Sequence, residues 1–402
     1  MYSQNEVLDF IKEEDVKFIR LAFFDVFGKQ KNISIMAEQL PRAFKNGISF
    51  DASSIKGFET PEKSDLFLHP DPSTIVILPW RPSHGRVVRM FCDIRNPDGT
   101  PYKKDSRHIL KEAVKKAGEA GLEFKFGPEI EFYLFKLDGN SCPTKIPFDG
   151  GGYMDIFPDD LGENVRRDIC FTLEQMGIPP ESSHHEEGPG QNEIDFHHSD
   201  AVSAADNTAS FKWVVRTKAS ASGLSADFSP KPLAAKSGNG MHINISCVSS
   251  SGEDFSERIT AGILAHIKEM TLFLNPHSES YERLGKHKAP KFISWGHGNR
   301  SALIRIPAST CGQKRIELRS PDPEANPYLA FALIIHAALD GIKNNIPLPP
   351  PVESDLENSA LTENSGLEEL PATLEEARRA AAESPFIKEI LGESFFTSYG
   401  RE

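Results

Sequence analysis

Apolar and charged positions alternate along five short segments between Phe126 and Pro323. They are Phe126-Gly-Pro-Glu-Ile-Glu-Phe132, the run from His184 to Asp195, Gly238-Asn-Gly-Met-His-Ile-Asn244, the run from Asn299 to Pro307 and the run from Arg315 to Pro323. A period of two predicts strands, because side chains alternate faces along an extended chain. Glu129 and Glu131 then point one way while Ile130 and Phe132 point the other. His242 shares a face with Asn244, and Glu317 with Arg319. Carboxylates, imidazoles and guanidiniums are rarely buried unless paired or bound to metal. Strands that turn these faces inward together would line a charged, metal-binding cavity.

The rest of the chain reads as α+β. Asn5 to Glu14 has the spacing of an amphipathic helix. Lys17 to Phe27 reads as a strand, Gly28-Lys29 as a turn and Lys31 to Ile35 as the return strand, with further strands at Ile75 to Pro79 and Val87 to Ile94. Pro97-Asp98-Gly99 is a turn. It suggests a small domain over 1–98 and a larger one over 99–402. Helices are expected at Ser106 to Ala120, capped by Asp105 or Ser106, and at Glu163 to Gly177, Ala201 to Gly223 and Asp254 to Leu274. Asn326-Pro327 supplies a cap and first turn for Tyr328 to Ile342. Pro347-Leu-Pro-Pro-Pro351 is a stiff linker to an acidic loop, Glu353 to Glu368. Thr373 to Glu383 reads as a helix, and Pro385 to Phe396 as one more.

Composition narrows the function. The chain has 402 residues and a formal net charge of −13, which disfavours a nucleic-acid partner because phosphate binding wants a basic face. The five cysteines, Cys92, Cys142, Cys170, Cys247 and Cys311, are odd in number and form no CxxC pair. They read as reduced thiols in a cytoplasmic protein. No signal-peptide pattern and no membrane-spanning run is expected.

Mg2+ and Mn2+ prefer carboxylate oxygens and accept an occasional imidazole. Two such ions suit phosphoryl transfer. Arg300, Arg305 and Arg315 suit polyphosphate, and Arg283 and Arg319 suit a substrate carboxylate. Together they suggest an ATP-dependent ligase that activates a carboxylate as an acyl phosphate.

Four long motifs, Phe50-Asp-Ala-Ser-Ser-Ile55, Ser64 to Thr74, His184 to Phe196 and Arg315 to Ala330, follow in an order that resembles the type I (bacterial and archaeal) glutamine synthetase family. The resemblance runs from the first strands to about Pro349. It implies a small N-terminal β-grasp-like domain and a catalytic domain with an open antiparallel β-barrel and surrounding helices. It further implies glutamate, ATP and ammonia as substrates, two or three Mg2+ (or Mn2+) per site, and subunits in a hexameric ring, possibly stacked to a dodecamer. Glu131, Glu186 and Glu193 match the ligands of one metal, and Glu129, His242 and Glu317 those of another that also meets ATP. Arg283, Arg319 and the backbone at Gly238 match the glutamate site. Arg300, Arg305 and Arg315 fall near the transferred phosphate and nucleotide. Phe211 and Ser246 fall where the family contacts adenine and ribose, with Asn244 counted among the ATP-binding residues. Asp51 matches a residue that serves the neighbouring subunit's ammonium site. His184-His185 read as structural or supporting, and His197-His198 as surface.

Three positions depart from the family pattern. Lys288, within Gly285-Lys-His-Lys-Ala-Pro290, stands where the family's flap carries a glutamate. Ser237 replaces an asparagine of the glutamate pocket, and Ala52 a glycine beside Asp51. A cation at Lys288 would repel ammonium. The flap's function is then either lost or turned to another amine, such as methylamine or a polyamine. A non-catalytic ring-forming relative is a further reading, against which stand the six metal-ligand positions.

The segment after Glu383 is short for the family, and a helix over Pro385 to Phe396 would not reach an opposite ring at about 1.5 Å of rise per residue. Single hexameric rings are therefore expected, with any double ring weak. Light scattering checks this; dodecamers alone at nanomolar subunit concentration, without ligands, would contradict it.

Overall fold

The computed structural model describes residues 2–308, 315–357 and 366–399. Cys311 and residues 358–365 of the acidic loop lie outside them. The described residues fall into two compact units, one drawn from Met1–Glu112, Glu174–Gly177 and Leu391–Glu402, the other from Ala113–Leu173 and Ile178–Ile390.

The first unit is built on a six-stranded mixed sheet in the order β2-β1-β6-β4-β3, with β5 beside β6. Its strands are β1 (Val16–Phe24), β2 (Gln30–Met36), β3 (Ile48–Asp51), β4 (Asp65–Pro70), β5 (Val76–Ile77) and β6 (Arg86–Arg95). The expected β1–β2 hairpin is present and antiparallel. Gly28 takes φ 77° at its turn, and the Asp25 carboxylate accepts the Phe27 and Lys29 amides. β6 returns parallel to β1. The strand expected over Ile75 to Pro79 shortens to the two residues of β5. Helices α1 (Gln4–Glu13) and α2 (Leu40–Asn46) complete this part. α1 carries a capping box between Ser3 and Glu6, which satisfies two otherwise orphan amides.

The second unit is organised by one long strand. β7 (Leu122–Leu137) spans 16 residues and pairs antiparallel with β8 (Pro143–Pro147), β10 (Gln191–Phe196), β11 (Ser199–Asp200), β12 (Leu224–Asp227) and β13 (Met241–Ser249). β9 (Pro180–His185) flanks β10, and β16 (Ile316–Leu318), β15 (Ile304–Ile306) and β14 (Trp295–His297) continue the sheet beyond β13. β14 runs parallel to β15, a departure from the antiparallel expectation. One face of this sheet is apolar. Phe126 stacks on Phe331 with ring centroids 4.4 Å apart, and Ile130, Phe132 and Ile243 are fully buried.

Helices cover that face. α5 (Ala201–Ala221), α6 (Ser256–Leu274) and, after the short α7 (Ser278–Arg283), α8 (Pro327–Lys343) are present, and the three long ones match their sequence expectations within two residues at each end. Asn326 caps α8 through the Tyr328 amide. α3 (Ser106–Glu119) begins at a turn whose Asp105 carboxylate accepts the Arg107 amide, so Asp105 is the cap. α4 (Glu163–Gln175) and the helix Leu374–Glu383 also fall where expected. The single helix expected over Pro385 to Phe396 is instead two, Pro385–Leu391 and Glu393–Tyr399. Gly392, at φ 74°, breaks it. Among the described residues no helix is long and apolar enough to cross a membrane.

α6 and α8 cross closely at paired glycines. A Cβ on Gly262 would lie 2.1 Å from the Ala337 carbonyl oxygen, and one on Gly341 2.2 Å from that of Arg258. Alanine is favoured over glycine in a helix by about 1 kcal/mol, but a clash with backbone costs about 1–3 kcal/mol or more. Gly262→Ala and Gly341→Ala are each expected to lower the thermal midpoint by several degrees. A raised midpoint in either variant would show that the helices separate freely.

Candidate active site

The face of the sheet opposite its apolar layer carries the chemistry. Register brings the carboxylates together: Glu193 on β10 lies across from Glu131 on β7, and Asp195 across from Glu129. His242 on β13 lies across from Glu129, and Asn244 across from Glu317 on β16. Like charges directly opposite one another destabilise a ladder, so these positions need compensation from outside it.

Two groups of ligand-capable atoms result. Glu129, His242 and Glu317 each offer an atom within 4.8 Å of the others. His242 Nδ1 lies 3.9 Å from Glu129 and 3.8 Å from Glu317. Arg305 and Arg319 each donate to Glu317, at 2.7 and 2.6 Å, and Asn244 donates to Glu129 at 2.8 Å. The second group is His184, Glu186 and Glu193. It differs from the set matched in the sequence. His184, read there as supporting, sits 3.0 Å from Glu186. Glu131 lines the same cavity, but its Oε2 accepts the Gly240 amide at 2.7 Å and the Gln191 side chain at 3.2 Å. Hairpin register, invisible in the linear sequence, aligns His184 with Glu193.

A third group, Asp149, Asp160 and His185, is closed on itself. His185 bonds Asp149 at 2.9 Å and the Glu186 carbonyl at 2.7 Å, while Arg166 bridges Asp160 and Asn192 at 2.5 and 2.6 Å. It buttresses the backbone under Glu186, as the structural reading of His185 expects.

Burial, then the Glu317 charge, raises Glu129 to about 7. Burial, then Asp195 and Glu131, holds Glu193 well above the usual carboxylate range, and burial with Glu186 beside it raises Glu131. His242 is pushed well below its ordinary value by burial and by Arg319 and Arg283. Neutral imidazole beside crowded carboxylate oxygens is a donor set that fits Mg2+ or Mn2+.

Glu129, His242, His184, Glu186 and Glu193 share a cavity of about 340 Å³ lined also by Gly238, Arg283, Arg300 and Arg319, while Glu317 is buried and does not line it. Arg283 is buried, donating to the Ser320 carbonyl at 2.8 Å. Gly238 packs against it: a Cβ there would lie 2.4 Å from the Pro230 oxygen and 2.9 Å from Arg283 Cγ. A second cavity of about 580 Å³ contains Asn244, Ser246 and Arg315 and shares Glu129 and Asp195 with the first.

Besides Glu317, three expected residues line neither cavity. Phe211 is fully buried among Phe132, Phe196 and Phe228. Its ring faces the core from α5 and lines neither cavity. Arg305 also lines neither and serves as a partner of Glu317. Asp51 belongs to the first unit, exposed at the end of β3, with its carboxylate held by Ser53 and Ser54.

Lys288 does line the cavity, but not as a free cation. Its ammonium pairs with Glu187 and its backbone amide donates to Glu357. Pairing with Glu187 raises the Lys288 pKa, so the cation expected to repel ammonium has a carboxylate beside it. Glu187, Tyr153 and Gln191 also line the cavity and went unremarked in the sequence. The one available sign for Glu187 was its place beside Glu186 in the hairpin turn.

Metal ligands bind deprotonated. Since the Glu129 carboxyl lies above its usual range, at about 7, divalent-cation affinity is expected to rise with pH from 6 to 8 and fall as pH drops through that value. Calorimetric Mn2+ titrations at pH 6, 7 and 8 check this; affinity unchanged across the series would contradict it.

Comparison with known proteins follows the same lines. The family model "Glutamine synthetase, beta-Grasp domain" matches residues 15–97 and "Glutamine synthetase, catalytic domain" matches residues 103–401. A glutamine synthetase of Methanosarcina mazei is 47% identical across 99% of this chain and 92% of its own. One from Clostridium saccharobutylicum is 44% identical across 99% and 93%. Among solved structures, a GmaS–ADP complex superposes with a TM-score of 0.89 at 29% identity, covering 98% of this chain and 93% of that one. The glutamine synthetase of Plasmodium falciparum shares the fold, with a TM-score of 0.87 at 24% identity over 99% and 94%. The chain belongs to the glutamine synthetase family, with its β-grasp domain followed by the catalytic domain.

Proposed function

We propose that this chain joins glutamate to ammonia in an ATP-dependent reaction through γ-glutamyl phosphate. The observation that carries this reading is that Glu129 and His242, with Glu317 buried within 4.8 Å of both, meet His184, Glu186 and Glu193 in one cavity with Arg283 and Arg319. Arg283, Arg319 and the backbone at Gly238 hold the glutamate carboxylate. Asn244, Ser246 and Arg315 receive the nucleotide in the second cavity, which meets the first at Glu129. A γ-carboxylate oxygen attacks the γ-phosphorus as its bond to the ADP oxygen breaks. Arg300, at the cavity wall, faces the charge that spreads over the transferring group. Ammonia then attacks the acyl carbon, losing a proton as phosphate leaves. Two or three Mg2+ or Mn2+ ions would be held by Glu129, His242 and Glu317 and by Glu186 and Glu193 with His184 or Glu131. When bound they neutralise phosphate oxygens.

The reading extends to a hexameric ring, possibly stacked, in which Asp51 serves a neighbouring subunit's ammonium site. It also extends to a cytoplasmic setting and to a domain boundary at 98/99. A second acceptor, another amine such as methylamine or a polyamine, is favoured by one observation, that the flap carries Lys288, paired with Glu187, and no carboxylate at that position.

Glu131→Gln and Glu317→Gln are each expected to reduce glutamate- and ammonia-dependent ADP formation by about 10²-fold or more, with circular dichroism unchanged. Near-normal turnover in both variants with Mg2+ would overturn the assignment.

A further inference from the structure

The rim of the cavity already holds an alkylammonium ion, and it belongs to the protein. Glu187 follows Glu186 in the turn after β9 and accepts the Ser237 hydroxyl at 3.2 Å through Oε2. Its Oε1 pairs with the Lys288 ammonium. Both partners line the cavity that contains Glu131 and Glu186, and their side chains are 34% and 50% exposed. The flap turn does not need this pair for its shape. It is closed by Gly285 N–H to the Ala289 carbonyl at 3.1 Å and Ala289 N–H to the Lys286 carbonyl at 3.1 Å, and it is tied to Glu357 through the Lys288 backbone.

We infer that Glu187 is an acceptor-binding residue and that Lys288 is its built-in competitor, so that an incoming ammonium or primary alkylammonium ion displaces the lysine from Glu187. This rests on the ligase reading above. The exchange swaps one ammonium for another and leaves the local charge unchanged. A half-exposed pair is weak enough to break at every turnover, whereas a buried pair would resist it. The released lysine moves into solvent on its flexible stem.

The test is steady-state kinetics at saturating ATP and glutamate with ammonium or methylammonium varied. Lys288→Met is expected to lower the acceptor KM about two- to five-fold, the range of an exposed ion pair. Glu187→Gln is expected to raise it about ten-fold, the loss of a charge-assisted contact. In the double variant Lys288→Met adds nothing, because no carboxylate remains to compete for. A simple flap fastener predicts the same direction of change for both single variants, and that result, or no change in acceptor KM in either, would overturn the inference. Glu187→Asp, which keeps the charge, should stay closer to wild type than Glu187→Gln, and a value beyond that of Glu187→Gln counts against it. ADP formation with unaltered acceptor KM sinks this inference alone. A wild type that forms no ADP from ATP and glutamate with any acceptor sinks the ligase reading as well.

Discussion

Carboxylates that face one another in a dry place repel, and the second unit is arranged around that repulsion. Glu193 opposes Glu131 and Asp195 opposes Glu129 in a single antiparallel register. Burial holds all four carboxyls above the usual carboxylate range, because a dry surrounding disfavours the charged form. The protein meets the conflict in two ways. Arg305 and Arg319 grip Glu317, and amides of Gly240, Gln191 and Asn244 hold Glu131 and Glu129. What remains is a deficit of positive charge that a divalent cation would fill, which would link ligand binding to stability.

Such a cluster persists because the opposite face over-determines the strands. β7 is pinned by five partner strands, and its apolar side chains are packed against α5 and α8. A one-residue slip of β10 would turn Glu193 into the core and Ile194 into the cavity. The close approach of α6 and α8 at Gly262 and Gly341 belongs to the same rigid support. Gly238 plays the equivalent part at the site itself, since its missing Cβ leaves room for the Arg283 stem. Stability surrendered at the carboxylates is thus offset by packing elsewhere, as functional sites commonly require.

Much of this was legible in the sequence, for identifiable reasons. The period of two in Glu129-Ile-Glu-Phe132 reports both the strand and the face of each glutamate. Asn326-Pro327 and Asp105 announce helix starts through local hydrogen bonds. What escaped detection depends on distance along the chain. β3 and β4 are short and half-exposed, so their alternation is faint. His184 joins Glu186 and Glu193 through hairpin register. Lys288 meets Glu187 across 101 positions, so the charge of Lys288 could be read in isolation but its neutralisation could not. Phe211 is a different case: the motif places an aromatic near the nucleotide, and its ring packs in the core from α5.

The central claim is that Glu129, His242 and Glu317, and His184, Glu186 and Glu193, form two neighbouring sites that would each take a divalent ion. Electron paramagnetic resonance of Mn2+ titrated into the purified protein tests it most directly. Two bound ions per chain, close enough to couple magnetically, with one lost in Glu317→Gln and the other lost in Glu193→Gln, is the predicted result. A single uncoupled ion that survives both substitutions would contradict it.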